Sequence, residues 1–161
     1  MAQRSPVATA ALYEVDETAW LEATADLIRN GRLTEVELNT LAEYLTDMAK
    51  RDRREVFSRL VVLLSHLLKW EYLPDRRSGS WRGTILEQQR ELRQLLESGT
   101  LRNHAKAVFA DAYADARKQA AAETGLTRTA FPEDCAWDLD SALADWDEAA
   151  EPGAAADRQR E

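Results

Sequence analysis

The sequence predicts an all-α fold, a compact bundle of about five main helices followed by a short C-terminal helix. Three observations carry that expectation. Gly and Pro are scarce, 6 and 4 among 161 residues, while Ala, Leu, Glu and Arg dominate, so intrinsic propensity favours helix across residues 16–124. Apolar residues recur at three- and four-residue spacing. Capping residues ahead of the apolar runs and Gly behind them cut the chain into segments of helical length. The length suits one domain. We expect it at residues 13–147, between a flexible N-terminus, 1–12, and a disordered acidic, Ala-rich tail, 148–161.

The first helix is expected from Asp16, whose carboxylate can cap the first turn, to Asn30, with Trp20, Ala23, Leu27 and Ile28 on one side and Gly31 as its stop. The second carries a capping box, Thr34 with Glu37, and a staple of Leu33 on Leu38. Its expected buried stripe is Leu38, Leu41, Ala42, Leu45 and Met48. Asp52 and Glu55 offer a further cap, so a break is expected around Ala49 to Asp52. From Val56 two seams run in parallel: Val56, Leu60, Leu63, Leu67 and Trp70 beside Phe57, Val61, Leu64 and Leu68. A helix apolar around so much of its circumference is packed on several sides. After a loop tipped by Arg76 and Arg77, the fourth helix starts at Ser80 as N-cap and carries Ile85, Leu86, Gln89, Leu92 and Leu96 inward until Ser98-Gly99. The fifth runs from Leu101 to Thr124, with Val108, Phe109, Ala112, Tyr113, Ala116 and Ala120 inward and a Schellman ending at Gly125-Leu126. Phe131 to Cys135 forms a turn that pins the chain back, followed by the short helix Leu139 to Asp145.

Charge is unevenly spread. The net formal charge of −8 divides into −6 over residues 1–49, +5 over 50–93 and −7 over 94–161. A basic island between acidic ends is either an anion-binding face or a set of helices whose charges pair or are solvated. Cys135 is the only cysteine, so no internal disulfide forms, and no Cys or His cluster has zinc spacing. The N-terminus lacks the apolar core of a signal peptide. The longest apolar stretch, Leu60 to Leu68, is interrupted by Ser65 and His66 and is far short of the roughly 20 residues that span a bilayer. A soluble cytoplasmic protein without membrane contact or cofactor is the expectation.

Ordered pieces of the chain have a family look: Tyr13-x-x-Asp16-x-x-x-Trp20, Asn39-x-Leu41-Ala42-Glu43 with Met48, His66-Leu67-Leu68-Lys69-Trp70, Ser80-Trp81-Arg82, Glu123-Thr124-Gly125-Leu126 and Phe131-Pro132-x-x-Cys135. In this order they resemble the bacterial family called domain of unknown function 29, over nearly all of the chain outside its two ends. The resemblance implies a compact helical domain and brings no activity, substrate or cofactor with it. Relatives often have a second acid where this chain has Tyr44, and a Gly where it has Ala49. The first departure weakens any acidic-pair chemistry at 43 and 44. The second favours a more continuous helix than in relatives.

The conspicuous side chains each admit two readings. His66 is a general base or metal ligand, or a core histidine satisfied by a carboxylate such as Glu43 or Asp47. Lys69, Trp70, Trp81 and Arg82 form a cation and aromatic patch, or they close the end of a bundle. Glu43 and Asp47 stand four apart, but the Glu-x-x-His units of di-metal bundles are absent. His104 has no supporting motif, and Cys135 lies amid acids that raise a thiol pKa. No phosphate-binding loop, dinucleotide fingerprint, nucleophile elbow or zinc-peptidase motif occurs, so no catalytic or metal residue is assigned.

Three function classes remain open. The foremost is a protein-interaction or adaptor module, self-associating or with another protein. The second is nucleic-acid or anion binding through Arg53, Arg54, Arg76 and Arg77, with Lys50, Arg51 and Arg82 beside them and Trp70 or Trp81 stacking; the acidic overall charge argues against it. The third is a metal-dependent hydrolase or nuclease built from Glu43, Asp47 and His66.

Overall fold

The computed structural model describes residues 6–145, with side chains from Ala11 onward. The expectations for residues 1–5 and for the tail 148–161 lie outside the described residues. The described chain is all-α: α1 (Pro6–Val15), α2 (Glu17–Arg29), α3 (Leu38–Tyr72), α4 (Gly79–Leu95), α5 (Gly99–Thr124) and α6 (Leu139–Leu143), with short 3-10 turns at Leu33–Glu35, Pro74–Arg76 and Arg128–Ala130. No strand occurs among the described residues. No described helix is long and apolar enough to cross a membrane. The described chain divides into two compact units that part between Lys50 and Arg51.

The first unit is organised on Trp20, which is 1% exposed. Asp16 caps α2 as expected, its carboxylate accepting from the Ala19 amide at 3.0 Å, and this sets Trp20 one turn into the helix. Tyr13 meets the indole edge-on at 4.9 Å between ring centroids, and Tyr44 of α3 lies at 5.4 Å. Tyr13 belongs to α1, so residues 6–12, expected to be flexible, are part of a helix. Gly31 has φ +69°. Its amide bonds to Ile28 and that of Arg32 to Leu27, the paired bonds of a Schellman ending that only a left-handed residue closes.

Two local expectations fail in this unit. Thr34 and Glu37 do not form a capping box, because the chain makes a 3-10 turn at Leu33–Glu35 and leaves it extended at Val36 (φ −80°, ψ 130°) before α3 begins at Leu38. That path buries Val36 and leaves Leu33 exposed, so the staple is also absent. The predicted stripe of α3 is not core either: Leu38 is 65% and Leu45 60% exposed, Ala42 is exposed, and Leu41 and Met48 are half-buried.

The helix α3 continues without the predicted break through Ala49–Asp52. The physical reason is the competition between a cap and a continuing backbone ladder. With Ala at 49 and neither Gly nor Pro from 38 to 72, every residue can make its i to i−4 bond, and ion pairs Asp47–Lys50 (3.3 Å) and Glu55–Arg59 (2.8 Å) brace the stretch.

The second unit is a helical core around the rest of α3. Val56, Leu60, Leu63, Leu64 and Leu68 are fully buried, with Phe57 and Val61 packed against them, as the double seam predicts. From α4 and its C-cap come Ile85, Leu92 and Leu96, and from α5 Ala105, Ala112, Ala116 and Ala120, whose small side chains let helices approach closely. Leu86, predicted inward, is 43% exposed. The N-cap of α4 is Ser78 rather than Ser80, accepting from the Trp81 amide at 3.3 Å. Ser98 caps the start of α5 instead of ending α4. Gly125 (φ +73°) ends α5 through one bond from its amide to Ala121, an αL ending in place of the expected Schellman pair.

Polar side chains bind the C-terminal segment by its carbonyls. Tyr113 donates to Pro132 O at 2.9 Å and Asp134 O at 3.3 Å, and Arg117 to Phe131 O at 3.0 Å. Buried Gln89 donates to Ala142 O and Ala144 O, both at 3.0 Å, and Arg93 to Leu143 O at 2.9 Å. Asp138 and Ser141 form the capping box of α6. These bonds hold Phe131, Leu139, Ala142 and Leu143 in the core.

Candidate functional site

Three of the side chains singled out in the sequence meet in the second unit, around Lys69. Its place on α3 among fully buried leucines leaves the side chain 3% exposed, so the ammonium needs compensation from within the fold. The carboxylate of Glu123 on α5 accepts a hydrogen bond from Nζ. Nε2 of His66, one turn before on α3, lies 3.3 Å from Nζ. The Trp81 ring, placed by the Ser78 cap, covers the ammonium at 5.0 Å from its centroid. Gln119 donates to the other oxygen of Glu123 at 2.9 Å.

The partners assign the imidazole tautomer. Nδ1 faces the Val62 carbonyl at 2.8 Å, an acceptor only, so Nδ1 carries the proton and Nε2 accepts from Lys69. Burial pushes the His66 pKa down and the Lys69 charge adds to this, against the Val62 bond and Glu123. For Glu123 burial works against the charge, yet the hydrogen bonds from Lys69 and Gln119 with the Lys69 charge hold its carboxyl below the ordinary value. The nitrogen a general base would use is therefore taken by an ammonium. The arrangement is that of a satisfied buried cation joining α3, α4 and α5.

A pH dependence follows from these shifts. Because the folded His66 titrates below its ordinary 6.5, the unfolded chain binds the proton first, and stability falls as pH drops below 6.5 through the lowered value. Glu123 adds a second loss below 4.5. Urea midpoints measured from neutral pH down to about 5 decline in the wild type, and the decline is shallower in His66→Gln.

The other predicted residues lie elsewhere. The ring of Trp70 is covered by Arg77 at 5.0 Å, whose Nε also donates to Trp70 O at 2.8 Å. Arg76 donates to Thr124 O at 3.1 Å. Both arginines thus satisfy carbonyls at helix ends, α3 and α5. Arg53 and Arg54 are exposed on α3, and Arg82 is half-buried on α4. Glu43 and Asp47 are exposed, with Asp47 paired to Lys50; the carboxylate in the cluster of His66 is that of Glu123. Among the described residues no group of three or more His, Cys, Asp or Glu is placed to hold a metal ion. Cys135 is half-buried, and burial, with the Asp138 charge behind it, pushes its thiol up.

Glu123 and Gln119 were not picked out from the sequence as site residues. One signal was available. Glu123 sits in the last turn of α5, where the helix dipole disfavours a carboxylate, so its presence there calls for a cation from another element.

A family model described as domain of unknown function DUF29 matches residues 12–147. No curated protein and no solved structure matches the chain.

Proposed function

The chain belongs to the domain of unknown function DUF29 family, an uncharacterised helical domain, and on that premise we propose that it works as a protein-interaction module whose contact surface is the N-terminal part of α3. One observation carries the reading. Leu38, Leu41, Ala42, Leu45 and Met48 have the spacing of a stripe meant for burial, yet Leu38 and Leu45 stay more than half exposed. Val56, Leu60, Leu63, Leu64 and Leu68, later on the same helix, are fully buried. An apolar row that the described residues leave in water is a surface for another protein. Ile28 and Leu33 add to the exposed apolar area of this unit.

The alternatives draw less support. Of the four arginines proposed for anions, Arg76 and Arg77 are committed to carbonyls. For a hydrolase, His66 Nε2 is held by Lys69. The reading is of a cytoplasmic module, which its lone cysteine suits.

A cysteine placed at position 45, in a chain whose own Cys135 is replaced by Ser, tests this. We expect it to react at high dilution at nearly the rate of a free thiol, with no denaturant, and to become protected when the partner is bound. Slow labelling in the isolated, folded chain contradicts the reading.

A further inference from the structure

Resting on the interaction reading above, we infer that the occupant of the α3 row is the same row of a second copy, running antiparallel. On the helix, positions 38, 42, 45 and 49 fall within about 60° of one another. All four are exposed, and they read Leu, Ala, Leu, Ala. Their spacing of four, three, four is the same in both directions. Reversal therefore sets Leu38 against Ala49 of the second copy and Ala42 against its Leu45. Each large side chain meets a small one, at all four levels, under one two-fold axis. Parallel pairing would put Leu on Leu and Ala on Ala, leaving alternate levels too tight and too open. Interiors reward the first arrangement, since close packing needs knobs opposite holes, and a two-fold contact requires a surface complementary to itself.

Charge agrees with shape. Between 38 and 49 the only charged residues are Glu43 and Asp47, and helix geometry puts both more than about 100° from the centre of the row. Asp47 is paired there with Lys50. Leu41 and Met48, half-buried, border the row on one side. Asn39 and Thr46, uncharged, border it on the other. Within 38–49, two copies can close on each other without setting like charges together.

The test is a size exchange, read by light scattering and sedimentation of the full chain. The wild type is expected to be a dimer at tens of micromolar. Ala42→Leu fills the hole that receives Leu45 of the second copy. On an exposed helix site it leaves the fold intact, since Leu is nearly as good a helix former as Ala, but it weakens the dimer roughly tenfold or more. Adding Leu45→Ala to the same chain restores a large residue opposite a small one and recovers the affinity to within roughly threefold. A tighter dimer in Ala42→Leu, or no recovery in the double variant, overturns the antiparallel register. A folded monomer at every concentration overturns self-pairing. If position 45 of that monomer labels freely, the row still awaits a different protein; if it is shielded, the interaction reading fails as well.

Discussion

Glu123→Ala lowers the stability of the second unit by about 2–3 kcal/mol, while Lys69→Met costs less than about 1 kcal/mol. The asymmetry comes from where the two charges lie. Removing Glu123 strands an ammonium that is 3% exposed, whereas removing Lys69 strands a carboxylate that is 38% exposed and can turn to water. A fully buried pair broken on one side costs about 3–5 kcal/mol, and the exposure of Glu123 reduces that figure. Met fills the lysine's volume and offers a thioether to the Trp81 ring that now covers the ammonium. In the double variant the cost of Glu123→Ala largely disappears. Urea unfolding of the four chains measures the coupling directly. Equal costs for the two single variants would show that Lys69 owes its burial to packing and not to the pair.

Trp20→Ala costs about 3–5 kcal/mol, and its damage is confined to the first unit. The indole is 1% exposed and has Tyr13 and Tyr44 as ring neighbours, with Thr24 and Val36 as the other buried residues of this unit among those described. No alternative core is at hand to take up the loss. Hydrogen exchange is expected to show amides of residues 17–29 losing protection, while those of residues 56–68 keep theirs. Uniform loss through both stretches would mean that the two units unfold as one.

The parts of this fold that were legible in the sequence are those in which one local signal had no rival. Asp16 ahead of α2 and Gly31 behind it are such cases, and so is the double seam from Val56 to Leu68, too apolar to be anything but central. The misread parts had two competing signals. Thr34 and Glu37 matched a capping box, but burying Val36 required an extended residue between them. Asp52 matched a cap, but nothing around it interrupts the backbone ladder of α3. Leu38 and Leu45 matched a core stripe because periodicity reports that a face is apolar and says nothing of whose core it joins.

The site divides in the same way. His66, Lys69 and Trp81 were visible as polar or aromatic residues on or beside a strongly apolar helix, and the structure brings them together. Glu123 comes from 54 residues further along, a contact that no local pattern encodes. Trp70 stood out in the sequence as a stacking ring and Arg77 as an anion-binding residue; the structure sets the two together, the guanidinium over the ring and its Nε donating to Trp70 O.

We propose that α3 carries two kinds of apolar row, one buried within the fold and one left for a partner. The most direct measurement compares thiol labelling of a cysteine at position 45 with one at position 64, each in a chain lacking Cys135, at high dilution under native conditions. Labelling is expected to be rapid at 45 and, at 64, only as fast as the chain unfolds, in keeping with exposures of 60% and 0%. Slow labelling at both positions, released together by denaturant, would place the 38–49 row in the protein's own core and leave no apolar row for a partner.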